Sequence, residues 1–397
     1  LKVLHPQDDS VMQFSEKYAK KIVLRRSRGF APNVLNFKIP ECNEKILCFG
    51  SDLKNTITIL PNSNCYTSEY IGDLENYDTY LRYEKTIENY HKIFDFEPEI
   101  VLFDAHPKYI SSQLAESIVH PENEIHYHKI QHHKAHFAAI LGEKKLWKSK
   151  DKILGIIWDG IGYGDDDQIW GGEFFEYQNK AMNRLGHLDY YPWVLGDKMS
   201  KNPKISAVSI SDSNPLFRNH FDDNEWAIYT KTIQNPRVNT SSMGRLFDAV
   251  GFVLGFHQPI YFEGEAAIYL EKLAQEYYST SENKLVDYLE NSDLVDNCIP
   301  TKLLFETILI HQQNGIQAGE IAANFHYTLI KCIEKVASTN KIRTLAFSGG
   351  VFQNSVLVDM ICEFLSNNFE VHLHENFSPN DENISFGQLN YYLNIKN

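Results

Sequence analysis

Ile153-Leu154-Gly155-Ile156-Ile157-Trp158-Asp159-Gly160 is a short apolar run that stops at an acid and a glycine. It is too short for a free-standing helix and lacks a helical period, so it reads as a strand buried on both faces. Gly and Asp crowd the next segment, Ile161 to Gln168, which reads as a loop. Ile169 to Tyr177 resumes as a second strand, and Arg184 to Tyr190 reads as a third. The same order occurs upstream. Ile46 to Gly50, Thr56 to Leu60 and Cys65 to Ile71 read as three short strands separated by turn residues. A helix from Asp78 to Phe94, a buried strand from Ile100 to Asp104, a strand from Ile125 to Gln131 and a helix from His132 to Glu143 follow. Downstream, helices are expected at Thr240 to Gly255, Glu265 to Tyr278 and Gly319 to Ser338. A final α/β passage comprises strand Thr344 to Phe347, loop Ser348-Gly349-Gly350, helix Asn354 to Ser366 and strand Glu370 to His374.

Two βββ-plus-α/β units in one chain suggest a duplicated α/β fold. Paired units of this kind around a cleft follow the actin-like (ASKHA, RNase H-like) two-lobed plan. Periodicity alone does not choose between duplication and two unrelated units. The expected organisation is a first lobe at 45–150 and a second at 151–397, with a helical insertion at about 195–340. Residues 1–34 hold one strand, Lys21 to Leu24, and the basic run Arg25-Arg26-Ser27-Arg28-Gly29; they are too few to bury a core and are expected to belong to another module. The stretch 35–44, with Pro40, reads as a linker.

Composition bounds the class. The 397 residues are 43% hydrophobic and 13% aromatic, enough for buried cores and too apolar for disorder. With 38 Lys and Arg against 52 Asp and Glu, the net charge of −14 disfavours a nucleic-acid partner. No apolar run approaches the roughly 18 residues of a membrane span, and no leader pattern opens the chain. Cys42, Cys48, Cys65, Cys298, Cys332 and Cys362 include no CxxC pair, which points to reduced thiols and a cytoplasmic protein.

Histidine carries the densest chemical signal. Six of the sixteen lie between 120 and 136 (His120, His126, His128, His132, His133, His136), where even spacing would place fewer than one. On a helix, His132 and His136 share a face and can pinch one cation; a chance surface pair has the same spacing. His133 faces elsewhere and is expected to be a hydrogen-bonding neighbour, while His126 and His128 are expected to be structural or to line the cleft. Asp159 ends a buried strand, where α/β sheets gather functional groups, and Asp381 lies in the loop before a helix. Two imidazoles with carboxylates suit Fe(II) or Zn(II). The alternative is that Asp159 holds a turn and Asp381 caps a helix. Gly160, Gly162 and Gly164, the Gly171-Gly172-Glu173 turn, and Gly349-Gly350 could each turn backbone N–H groups toward an anion. None fits a Walker or dinucleotide-binding fingerprint. Arg245 and Asp248 could meet a phosphate and a ribose hydroxyl, or form an ordinary surface salt bridge.

Several strings go beyond generic chemistry. Ser51-Asp52-Leu53-Lys54-Asn55-Thr56, Tyr70 to Asn76, Gln131 to His136, Asp159 to Asp166 and Ile169 to Glu173 occur in order. Ser241 to Ala249, Glu263 to Ala267 and Ser348 to Asn354 follow. Together they resemble the C-terminal half of the HypF family, carbamoyltransferases of [NiFe] hydrogenase maturation, over nearly the whole chain. Arg25 to Pro32 is similar to the end of that family's YrdC-like domain, which assigns 1–34 to its tail. The resemblance implies that a carbamoyl-adenylate, made from carbamoyl phosphate and ATP, passes its carbamoyl group to the C-terminal cysteine of a HypE-type partner. It also implies His132, His136, Asp159 and Asp381 as metal ligands (Fe or Zn, with Mg²⁺ as an optional companion of the nucleotide). Gly349, Gly350, Asn354 and Asp248 would hold the adenosine. Lys54, Arg245, Gly160 and the Gly171-Gly172-Glu173 turn would lie near phosphate or carbamoyl. The family's acylphosphatase-like domain and zinc-finger pair have no counterpart here, so the adenylate-forming half is expected to be missing. Phe262 stands where the family usually has Tyr. Rival readings are a small-molecule O-carbamoyltransferase, a kinase of the same fold and a silent nucleotide-binding scaffold.

Overall fold

Alternation of side chains along short apolar strands builds two sheets with one strand order. A computed structural model of the chain describes residues 7–31, 42–119, 124–280 and 284–396. The first sheet runs Tyr66–Thr67, Thr58–Leu60, Ile46–Cys48, Ile100–Asp104, His126–Ile130. Its first three strands are antiparallel, and the last two are parallel to Ile46–Cys48. The second sheet repeats this with Ala181–His187, Ile169–Gln178, Ile153–Tyr163, Thr344–Ser348 and Glu370–His372, in the same senses. Numbered within each unit, the first sheet and these five strands of the second read 3-2-1-4-5; Asn239–Thr240 and Tyr191–Pro192 extend the second sheet beside Ile169–Gln178. The chain is therefore a duplicated, two-lobed actin-like α/β fold. Between its third and fourth strands the first lobe has only the helix Tyr77–Phe94, whereas the second has a helical excursion ending in Ala318–Thr339.

Each sheet is buried on both faces. Leu47, Phe49, Val101 and Phe103 pack under Tyr77–Phe94 and Ile110–Ile118, and Ile46, Cys48, Ile100 and Leu102 face the other way. What covers that second face is the helix Ile384–Tyr391, from the far end of the chain, through Phe386 and Leu389. Reciprocally, the helix His132–Glu143 buries Phe137, Ala138, Ile140 and Leu141 against Ile153, Ile157 and Phe175 of the second sheet. The closing helix of each unit thus covers the other unit's sheet. The two helices touch where Gly387 meets the carbonyl of Ala135; a Cβ at 387 would sit 2.0 Å from that oxygen.

The hairpin Val11–Phe14/Lys21–Arg25 leans on both lobes. Gln13 donates to the Gln353 carbonyl, and the Lys17 and Tyr18 amides donate to Asp359. The buried Arg26 guanidinium donates to the carbonyls of Ser68 and Phe30, while its amide donates to the Glu382 carboxylate. Residues 35–41 of the expected linker and His120 lie outside the described residues. All six cysteines are free. No helix among the described residues is long and apolar enough to cross a membrane.

Several expectations are corrected. Gly162 belongs to the strand Ile153–Tyr163, whose pairing shifts register between Trp158 and Gly162, so Asp159 sits on a bulge. Gly171, Gly172 and Glu173 are not a turn but part of the strand Ile169–Gln178. Of the two readings of His126 and His128 the structural one stands: both lie on the edge strand of the first sheet, line neither of the interlobe cavities, and His128 packs on Tyr392.

Candidate metal centre and adjoining cavities

Four side chains distant in sequence meet between the lobes. Gln131 caps the helix His132–Glu143, accepting from the Lys134 amide, so His132 occupies its first position and His136 lies one turn on. Asp159 comes from the bulge and Asp381 from the short turn before Ile384–Tyr391. The His132 Nε2 stands 3.4 Å from Asp159 and 3.6 Å from Asp381; the His136 Nε2 stands 3.5 Å from each. All four donor atoms lie within 4.8 Å of one another. Among the described residues neither Nε2 has a hydrogen-bond partner, although both rings are fully buried.

The donor set fits a cation. Ligands about 2.1 Å from a tetrahedral centre stand about 3.4 Å apart, close to the four imidazole–carboxylate spacings. The outer edges of the groups are held as a metal site requires. Nδ1 of His132 is 2.8 Å from the buried Asp104 carboxylate, and Nδ1 of His136 is 3.1 Å from Asn383 Oδ1. Asp159 accepts from the Gly350 amide at 3.0 Å, and Asp381 accepts from the Ser51 hydroxyl at 3.2 Å. Burial alone would lower the His132 imidazole, but Asp381, Asp104 and Asp159 outweigh it and hold it well above its ordinary value. His136 is raised by Asp159 and Asp381 against the same burial. Burial would raise the two carboxyls, yet the paired imidazoles hold both below the ordinary carboxylate range. His133, buried and pushed well down by desolvation, contacts Gln131 through Nδ1.

Two neighbouring cavities share Glu263 and Gly264 as lining. One, of about 220 Å³, touches Asp159, Asp381, Gly160, Arg245 and Tyr109. The other, of about 290 Å³, is bounded by Gly350, Asn354, Gly244, Phe247 and, from the N-terminal hairpin, Gln13 and Leu24. Gly350 and Asn354 thus line the second cavity. Gly349, with φ +106°, does not; it lets the turn cross Trp158, whose carbonyl would be 2.1 Å from a Cβ there. Asn354 is oriented by His326: its Nδ2 lies 3.0 Å from His326 Nε2, while its Oδ1 caps the helix Ser355–Phe364.

Lys54 pairs with Glu263 across the cleft, and its ammonium is held above its ordinary value by Glu263 and Asp381 despite burial. Arg245 and Asp248 form a buried ion pair at 2.6 Å, so the surface-salt-bridge reading falls. Glu173 is engaged internally by Arg184 and Ser241, and Gly172 lets its strand approach the Ser241 carbonyl. Asp104, Asn383 and Tyr109 have no role in the sequence expectations, and Glu263 enters them only as the start of one family-like string. Asp104 ends an apolar run in the sequence just as Asp159 does, a signal that was available.

Residues 155–388 match the family profile described as the carbamoyltransferase Kae1-like domain, second subdomain, and residues 41–143 match the HypF Kae1-like domain. The chain belongs to the HypF family. The carbamoyltransferase HypF of Synechocystis sp. is 31% identical over 98% of this chain and 52% of its own length. A carbamoyltransferase HypF homolog of Cupriavidus necator is 29% identical over 79% of this chain and 82% of its own length. A crystal structure of full-length HypF in a phosphate- and nucleotide-bound form superposes with TM-score 0.85, 31% identity, 98% of this chain and 51% of that one. The chain thus spans about half the length of the full-length HypF proteins it matches.

Proposed function

We propose that this chain carries the transfer half of the HypF reaction: carbamoyl passes from a carbamoyl-adenylate to the C-terminal cysteine of a HypE-type partner, in the cytoplasm. The observation that carries this reading is the convergence of His132, His136, Asp159 and Asp381 beside two adjoining cavities. In this reading the four side chains hold an Fe or Zn ion, which when bound supplies Lewis-acid polarisation of the carbamoyl carbonyl. The cavity lined by Gly350 and Asn354 takes the nucleoside, as suits a family member crystallised with nucleotide. Arg245 and Lys54 contribute positive charge where the acyl phosphate would lie, offsetting charge that develops as AMP departs. The interlobe cleft shields the adenylate from water. The nucleophile is the partner's thiolate, so this chain needs none of its own.

The test is incubation of the chain with preformed carbamoyl-adenylate and a HypE-type partner, followed by mass spectrometry of the partner. A cysteine adduct of about 43 Da, one carbamoyl replacing hydrogen, is expected. Carbamoyl phosphate with ATP should give little adduct with this chain alone. No adduct from preformed carbamoyl-adenylate would overturn the assignment.

A further inference from the structure

Behind His136 lies a buried polar chain that the transfer reaction does not use directly. Ser348 Oγ is 3.3 Å from His136 Nδ1, and His374 Nε2 is 2.9 Å from the same Oγ. His374 Nδ1 is 2.5 Å from Glu143 Oε2. The other Glu143 oxygen accepts from the amides of Glu375 and Asn376, each at 2.8 Å. Burial would raise the Glu143 carboxyl, but His374 and those amides hold it below its ordinary value. Every member is buried, at most 5% exposed. Asn383 fixes the near end: its Nδ2 donates to the Ser378 carbonyl, which leaves Oδ1 as the acceptor facing His136.

We propose that Ser348, His374 and Glu143 form a one-way hydrogen-bond relay that positions His136 for cation binding. Read from Glu143 outward, the His374 N–H donates to the carboxylate, the Ser348 hydroxyl donates to His374, and the His136 Nδ1–H is left to donate to Ser348 and Asn383. Nε2 of His136 is then the lone-pair nitrogen, aimed at Asp159 and Asp381. A carboxylate two residues removed makes that nitrogen a better donor, as Asp104 does for His132 by direct contact. The fold supplies both devices from equivalent places, since Asp104 and Ser348 end the fourth strand of their respective sheets. These are positioning residues. The inference rests on the proposed metal centre, and it adds three groups outside the four ligands.

Glu143→Gln tests it without changing shape. The amide oxygen can keep the backbone contacts, but the amide nitrogen must donate to His374 Nδ1, which reverses the relay and favours the His136 tautomer with Nε2 blocked. Zn(II) and Co(II) dissociation constants would be measured on stripped protein by chelator competition, with the visible Co(II) spectrum as a second readout. Glu143→Gln and Ser348→Ala should each weaken binding about 10–100-fold and alter the Co(II) bands, and Ser348→Thr, which keeps the hydroxyl, should restore both. Ser348→Ala keeps the test standing if Glu143→Gln does not fold. Native affinity and spectrum in the folded variants would overturn the relay alone. Failure of the native protein to bind either ion would overturn the relay and the metal reading together.

Discussion

Removing Arg245 alone should damage the protein in a way that depends steeply on pH. Arg245 is 8% exposed and Asp248 1%, and their 2.6 Å contact is buried in the helix Met243–Val253. Even with its partner, Asp248 is raised above its ordinary 3.8, because burial outweighs Arg245. In Arg245→Met the carboxylate would be buried and unpaired, a cost of about 3–5 kcal/mol. Protonation sets a ceiling on that cost. At pH 7, neutralising a carboxyl of ordinary value 3.8 takes about 3.2 units, or about 4.4 kcal/mol; at pH 5 it takes about 1.6 kcal/mol. The folded variant then binds a proton that the unfolded chain does not, so its stability falls as pH rises above 3.8. Urea denaturation of Arg245→Met should therefore show a loss of about 3–4 kcal/mol at pH 7 and less than about 2 kcal/mol at pH 5. Adding Asp248→Asn should recover most of the pH 7 loss, because no buried charge remains. If the two substitutions add, or the loss is the same at both pH values, the buried-pair argument is wrong. The double variant should fold, yet hold nucleotide at least about tenfold more weakly if Arg245 or Asp248 meets the nucleotide.

Three further outcomes are expected. Burial pushes His326 down to about 4, so the fold keeps it neutral; the unfolded chain takes up a proton first as pH falls below 6.5. Its contribution is complete above 6.5 and fades toward 4, by about 2 kcal/mol at pH 5; a His326→Gln variant should show a correspondingly flatter loss of melting temperature between pH 7 and pH 5. His132 and His136 are raised in the metal-free protein, so cation binding should release protons and weaken as pH falls. Calorimetric titration in buffers of different ionisation enthalpy measures that release, and zero release would contradict the reading. Gly387→Ala drives a methyl into the Ala135 carbonyl and should cost at least about 3 kcal/mol; an unchanged urea midpoint would show that the two helices do not cross so closely.

The sequence carried the fold where local pattern and final packing agree. His132–Glu143 and Glu265–Tyr278 begin and end where the sequence reading places them. Pro203–Ile210 was not read as a helix of its own, and the helix after Asp381 was expected without bounds, because burial on nearly every side erases the amphipathic period of both. Gly171-Gly172 resembled a turn, although its glycines serve a close strand approach to Ser241, set by a segment some seventy residues away. Of the site, the HxxxH pair, Asp159 and Asp381 were legible as candidates from spacing and position, and resemblance chose the ligand reading for all four. The Glu143–His374–Ser348 chain was not, since its members sit 231 and 26 residues apart and only the folded backbone brings them into line.

The exchange of closing helices has a consequence for heredity as well as for packing. Cut between 150 and 151, the N-terminal piece would keep His132–Glu143 but lose the helix that roofs its own sheet, and the C-terminal piece would suffer the converse. Each fragment would expose the greasy imprint of its absent twin. A gene split there would yield two products obliged to find each other, while recombination that traded one half for a distant cousin's would have to match both imprints at once. The two repeats are bound to evolve as a couple.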